Sequence, residues 1–234
     1  MIDKTDFETF LYVSMNKYQI FVFDNKKPEK LYNEELKINN EFDIKNLSSL
    51  SKFLDENIYK IEKLVGSFIK DIILIIESDK ILDVNIAIKK KNYENFINQK
   101  YLENNLTELK DLFKENYQER TIMHMVVINY IVNGKKYSLF ESDLIGDNLC
   151  LEVSLISISD DLALALNKVL EKYQIKISQY MCGNYIKNFF ETNDDEISLM
   201  AFKLRNGYNA NEVILIPKNT ENKGFFEKFF QLFS

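Results

Sequence analysis

The stretch Leu47–Ile76, LSSLSKFLDENIYKIEKLVGSFIKDIILII, carries two different periodicities one after the other. Leu47, Leu50, Leu54, Ile58, Ile61, Val65 and Phe68 recur at spacings of three and four, which predicts an amphipathic helix. Asp71-Ile72-Ile73-Leu74-Ile75-Ile76 follows as a short, wholly apolar run, the pattern of a strand buried on both faces of a sheet. Upstream, Thr9–Val13 and Tyr18–Asp24 read as strands around the polar turn Ser14-Met15-Asn16-Lys17, and Leu31–Leu36 supplies a third. A three-stranded meander, a helix and a central strand make an α/β layer.

Beyond Ile76 the pattern repeats with a wetter face. Leu82, Val84, Ile86 and Ile88 alternate with polar or small residues, which predicts a half-buried strand. Glu94 to about Tyr117 is read as a helix with Leu102, Leu106, Leu109 and Phe113 inward. Thr121–Val132 is a long strand, Asn133-Gly134 a hairpin turn, and Lys135–Phe140 the returning strand. Leu149–Ile158 is another strand. Asp160 is expected to cap a helix running to about Tyr173, followed by a strand at Ile175–Tyr180 and a short helix at Gly183–Glu191. Ile197–Leu204 and Val213–Ile216 are expected to form a closing hairpin over Arg205-Asn206-Gly207-Tyr208. The expected organisation is an α/β layer over 1–80, a second α/β unit over 81–180 inserted into it, a return segment over 181–217, and a linker with a terminal helix over 218–234.

A hydrophobic fraction of 46% fits a folded globular chain, and 28% charged residues with a net charge of −6 argue against nucleic acid as a partner. The acidic N-terminus has no apolar run of the signal-peptide kind, and no aliphatic stretch approaches the length needed to span a bilayer. Cys150 and Cys182 lie far apart in no metal-ligand spacing and read as ordinary reduced thiols of a cytoplasmic protein.

Residues arranged for catalysis are scarce. His124 is the only histidine and sits mid-strand between Met123 and Met125, so it reads as structural. The carboxylate runs Asp160-Asp161 and Asp194-Asp195-Glu196 fall where caps and solvated turns are expected. Cradling a phosphate requires turns whose backbone N–H groups close on the anion, in practice glycine-rich ones. Ser14-Met15-Asn16-Lys17 has no glycine and Arg205-Asn206-Gly207-Tyr208 has one. The residues therefore predict no catalytic site, no metal and no cofactor.

The C-terminal segment Gly224–Ser234, GFFEKFFQLFS, is expected to form an amphipathic helix. Phe225, Phe226, Phe229, Phe230, Leu232 and Phe233 fall within roughly 160° of arc, with Lys223 and Lys228 placed to snorkel. So short a helix is unstable alone in water and must bury this face against a bilayer, a partner's groove or the protein's own core. Burying a Phe or Leu yields about 1.5–3 kcal/mol, so six give on the order of 10 kcal/mol before ordering costs. Lys223 and Lys228 are balanced by Glu221 and Glu227, so a single tail is expected to hold a membrane weakly and to work best in numbers.

The residues from Thr121 to Tyr185 also resemble the FtsA family, the actin-related proteins that tie the bacterial division ring to the membrane. Ile122-Met123-His124-Met125-Val126-Val127, Tyr130, Val132, Asn133 and Gly134 match that family's I-L-H-V-I-P-x-x-Y-x-I-D-G pattern. Leu144 and Gly146 match its following loop, and Leu149, Val153, Leu155 and Ile156 the next strand, with Asn167 in step beyond. Val127 stands where the family has proline and Asp143 where it has glycine, and the phosphate loops have no counterparts. The resemblance implies a partial actin-like (ribonuclease H-like) layer with an FtsA-type inserted subdomain and a membrane-targeting terminal helix, in a form lacking the second actin-like domain. It further implies a non-enzymatic cell-division adaptor, peripheral on the inner face of the cytoplasmic membrane. Its expected partners are lipid, other division proteins and copies of itself. The family's site that grips FtsZ belongs to the missing domain, which puts direct FtsZ binding in doubt. Two alternatives stay open: an actin-like ATPase with unrecognised loops, and a pilus- or secretion-platform adaptor of the PilM type, which shares the actin-like plan and would bind a short peptide from a membrane partner.

Overall fold

The computed structural model describes residues 6–26, 29–38, 47–93, 96–141, 144–191 and 196–213. The terminal helix expected over Gly224–Ser234, with Lys223, Phe225, Phe226, Lys228, Phe229, Phe230, Leu232 and Phe233, lies outside the described residues. So does Asp143.

The chain is mixed α/β and divides into two compact units. The first comprises the described residues up to Ile81 and Ile158–Asn206. Its sheet begins with β1 (Phe7–Val13), β2 (Lys17–Asp24) and β3 (Lys30–Lys37), an antiparallel meander. Helix α1 (Ser48–Val65) then leads to β4 (Asp71–Ile76), which runs parallel to β1. The strand order is completed by β9 (Lys176–Cys182), parallel to β4, to give β3-β2-β1-β4-β9. Five of the six residues of β4 are buried, because helices cover both faces of the sheet.

On one face Phe10, Tyr12, Phe21, Phe23, Ile73, Ile75 and Met181 pack against α4 (Gly183–Phe190) and α5 (Ile197–Arg205). The rings there interlock: Phe10 stacks on Phe21 with centroids 5.0 Å apart, and Phe23 stacks on Phe202 at 4.4 Å. The alternate residues Leu11, Val13, Ile20, Val22 and Leu74 are equally buried, as strand periodicity requires when both faces are covered. The inward stripe of α1 is Leu50, Phe53, Leu54, Ile58, Ile61 and Val65. That of α3 (Asp160–Glu171) is Leu162, Ala163, Leu166, Val169 and Leu170.

The second unit comprises Leu82–Ser157 with 207–213. Its sheet has the order β5-β8-β6-β7, built from β5 (Leu82–Lys91), β6 (Arg120–Val132), β7 (Lys135–Tyr137) and β8 (Asn148–Ser159). Helix α2 (Gln99–Asn116) places Leu102, Leu106, Leu109 and Phe113 in a core with Met125, Val127, Leu149, Leu151, Val153 and Leu155. Asn133 and Gly134 both have positive φ, 50° and 85°, the type I′ geometry that Asn-Gly favours between paired strands.

Several elements differ from the sequence reading. Ile197–Leu204 is helical in α5 and is not a strand. A short apolar run supports either periodicity, and here Ile197, Ala201 and Leu204 share a buried face at helical spacing. The segment therefore supplies no strand for the expected hairpin, and residues 214–216 of the other expected strand lie outside the described residues. Gly207, at φ 81°, follows the helix end instead of topping a hairpin. Glu212 then bridges Val126 of β6, and Val213 N–H donates to Met125 O at 2.8 Å. The strand expected at Ile175–Tyr180 was placed in the middle unit, but it joins β4 in the first sheet, and residues 158–206 fall in the first unit. Ser159 occupies the cap position expected of Asp160. Helix α2 starts at Gln99 because Asn98 caps it, accepting the Tyr101 N–H at 2.9 Å, while Phe96 bridges Ile145 in extended form. The strand after Gly134 ends at Tyr137, short of the expected Phe140.

Candidate functional site at the carboxyl edge of the first sheet

Strands β1, β4 and β9 are parallel and in register at their ends, with Val13 opposite Ile76 and Ile76 opposite Cys182. All three carboxyl ends therefore open on one edge, which is where open α/β sheets bind their ligands. The residues that follow are the β1–β2 turn, Glu77 after β4, and Gly183 opening α4.

The turn is closed on itself. Ser14 N–H donates to Lys17 O at 3.0 Å, and the buried Ser14 Oγ lies 2.9 Å from Asn16 Oδ1. Glu77 N–H donates to Val13 O at 2.9 Å, which ties the end of β4 to β1. The Ser14 and Glu77 amides are thus spent within the fold.

Side chains fill the remaining space. The Tyr12 hydroxyl donates to Glu77 Oε2 at 2.7 Å, and the other oxygen of that carboxylate pairs with Lys187 of α4. Lys187 Nζ lies 5.9 Å from the centroid of the Tyr12 ring, and Lys17 Nζ lies 5.4 Å from it. Lys17 also pairs with Glu35 Oε2 at 3.7 Å. Tyr12 is fully buried, and Glu77 and Lys187 are largely so, which strengthens these interactions above the surface value.

Gly183 makes the arrangement possible. A Cβ at this position would stand 2.6 Å from Glu77 Cγ and 3.1 Å from its Oε1. The carboxylate therefore lies against the first turn of α4, where the positive end of the helix favours an anion. The chain's own Glu77 carboxylate takes up that position at the helix start. Gly183→Ala is expected to cost about 1–2 kcal/mol by displacing Glu77. A thermal melt checks the cost. Reduced protection of Lys187 from amine-reactive labelling checks the displacement.

None of this group was singled out in the sequence reading, apart from the turn Ser14–Lys17. Glu77 had one legible signal, an acid directly after the apolar run of β4, and Gly183 another, a glycine between strand and helix. Their conjunction depends on the parallel pairing of β4 with β9. Among the described residues, no group of three His, Cys, Asp or Glu side chains is placed to hold a metal ion, and no helix is long and apolar enough to cross a membrane.

His124 sits in the second unit, read as structural and buried there. Its Nδ1 is 2.5 Å from Glu212 Oε1, on the segment that lies along β6. Glu212→Ala is expected to cost about 1–2 kcal/mol by removing the acceptor for a buried ring nitrogen. Faster hydrogen exchange at the Val127 amide, which donates to Asn211 O, reads the loosening.

No protein-family model matches the chain, and no curated protein matches it. Among solved structures it is similar to the PilM–PilN type IV pilus biogenesis complex, at 7% identity and a TM-score of 0.50 over 80% of this chain and 50% of that one. It is also similar to the cytoplasmic domain of EpsL, an inner membrane component of the type II secretion system of Vibrio cholerae, at 9% identity and a TM-score of 0.34, covering 77% of this chain and 57% of that chain. A Bacteroides thetaiotaomicron protein with an actin-like ATPase fold and unknown function matches at 15% identity and a TM-score of 0.32, over 81% and 58% of the two chains. Of these three, the first reaches a TM-score at which the likeness carries the fold, and at its identity it carries the fold alone. The chain shares a mixed α/β fold with the PilM–PilN chain it matches and spans about half the length of that chain.

Proposed function

We propose that the chain is a non-enzymatic actin-fold adaptor of a membrane-associated pilus- or secretion-type assembly, of the PilM kind, that holds a short peptide of a membrane partner. The observation that carries the reading is the Glu77 carboxylate seated at the first turn of α4 and held by Tyr12 and Lys187. A carboxylate at the first turn of α4 would repel a phosphate there, so the scaffold is kept for binding and not for nucleotide chemistry. The shared fold with the PilM–PilN complex supports this assignment over other actin-like roles.

A second reading, the FtsA-like division adaptor, has its own support in the Thr121–Tyr185 residue pattern. Much of that pattern falls on β6, its Asn133-Gly134 turn and β8 of the second unit. Its membrane-targeting tail is a proposal on the same footing, as are peripheral placement at the cytoplasmic membrane face and self-association.

Cross-linking in the source cell, with the tagged full chain as bait, separates the two. The pilus- or secretion-platform reading expects cross-links to an inner-membrane component of such an assembly. Cross-links to division-ring proteins instead would overturn it in favour of the second reading.

A further inference from the structure

The outer strands of the two sheets are β3, β9, β5 and β7, and they are not protected alike. An open edge presents a row of unpaired N–H and C=O groups, which folds blunt by shortening the strand or bulging it. β7 has only three residues. The register of β3 on β2 shifts between Val22 and Phe23, and that of β9 on β4 between Ile72 and Ile73. β5 has neither device. Its ten residues pair with β8 in unbroken register, and among the described residues no strand pairs with its other side. Its core-facing Val84, Ile86 and Ile88 are accordingly only partly buried.

The ladder fixes which backbone groups face out. Asn92 N–H donates to Asp147 O, continuing the β5–β8 pairing, so the even-numbered residues of β5 bond to β8 and the odd-numbered ones point away. On the far side of β8, Asn133 N–H donates to Asn148 O, and Asn148 stands opposite Lys91, as this alternation requires. The outward carbonyl of Lys91 is taken by the Tyr101 hydroxyl at 3.2 Å. The open row is therefore Asp83, Asn85, Ala87 and Lys89, all exposed, with Ile86 at its midpoint.

About that midpoint the row is complementary to itself. Antiparallel pairing of two copies sets Asp83 opposite Lys89 of the second copy, Asn85 opposite Ala87, Val84 opposite Ile88, and Ile86 opposite Ile86. Unlike charges then meet at both ends of one face, and the partly buried apolar side chains meet on the other. Asp83 accepts the Ser154 hydroxyl through Oδ1 at 2.7 Å, which leaves its second oxygen for a lysine, and Lys89 makes no ion pair among the described residues. Other registers fit less well. A two-residue slide toward Lys91 sets Val84 against Lys90, and the opposite slide leaves Asp83 against Ala87.

We propose that β5 is a self-association edge, on which a second copy of this chain adds its own β5 antiparallel about Ile86. The two four-stranded sheets become one across a two-fold axis, with about eight new backbone hydrogen bonds. The pairing stands on β5 alone and rests on neither functional reading.

Sedimentation equilibrium of the full chain over a range of concentrations tests this and should show a reversible dimer. Ala87→Pro removes an outward N–H and leaves the bonds to β8 in place, which an edge strand tolerates. This variant should be monomeric at the concentration where the unaltered chain is half dimeric, with an unchanged circular dichroism spectrum. Asp83→Lys sets like charges opposite each other at both ends and should weaken the dimer roughly tenfold. Asp83→Lys/Lys89→Asp restores unlike pairs and should recover the lost affinity, a comparison that does not depend on how the proline variant folds. A monomeric unaltered chain, a folded Ala87→Pro variant that dimerises as strongly as the unaltered chain, or a charge swap no better than Asp83→Lys alone overturns the proposal.

Discussion

Phe10→Ala is expected to destabilise the first unit by about 3–5 kcal/mol, the range for deleting a fully buried aromatic ring. Phe10 has no exposed surface and touches rings on three sides. It stacks on Phe21 at 5.0 Å, and it meets Phe23 and Phe202 edge-on at 6.2 and 6.4 Å. Removing it opens a cavity between β1 and α5 that neither element can close, because the register of β1 is held on both sides by β2 and β4. For a chain of this size each kcal/mol lowers the melting temperature by roughly 2–4 °C, so a fall of roughly 10 °C is expected. Calorimetry measures it. Phe10→Leu refills most of the volume and should recover more than half of the loss.

Glu77→Ala is expected to cost about 2–4 kcal/mol, and for a different reason. The substitution takes away the acceptor of the buried Tyr12 hydroxyl and the carboxylate that pairs with Lys187 in a setting where both groups are mostly shielded from water. Glu77→Gln keeps an acceptor for Tyr12 and the packing against Gly183, so it should cost less than half as much. Equal costs for the two would mean that charge carries no part of the interaction. Because Glu77 is tied to Val13 through its backbone as well, hydrogen exchange at the Glu77 amide should rise in the alanine variant before global unfolding.

How much of this was legible in the sequence depends on whether a contact is local. The meander, α1 and β4 follow from periodicities that one segment carries by itself, and Asn133-Gly134 fixes the β6–β7 turn through its own φ preference. The strand β9 is legible as a strand but its unit is not, because its partner β4 lies more than a hundred residues earlier and parallel pairing leaves no turn between the two to read. Helix α5 reads equally as a strand because ISLMAFKLR is apolar on too many sides for its period to decide; its buried face becomes visible only against Phe10 and Phe23. The candidate site was least legible. The turn Ser14–Lys17 could be judged unfit for phosphate from its lack of glycine, but the placement of Glu77 against Gly183 and beside Tyr12 and Lys187 joins residues from three strand ends.

The two units also divide the functional questions. Substitutions at Phe10, Glu77 and Gly183 address the scaffold and its carboxyl edge in the first unit, while Glu212 reports on how the chain after α5 is held along β6 in the second. A variant that disturbs the first group without changing exchange at Val127 would assign its effect to the first unit alone.

The central claim is the proposal that this fold serves binding without nucleotide, the Glu77 carboxylate at the first turn of α4 repelling a phosphate there. Isothermal titration of the full chain with ATP and magnesium tests it most directly. The account predicts no saturable heat up to millimolar nucleotide, with the Glu77→Gln variant equally silent because the Ser14 and Glu77 amides remain spent within the fold. A saturable isotherm for the unaltered chain would contradict the account and return the protein to the actin-like ATPases.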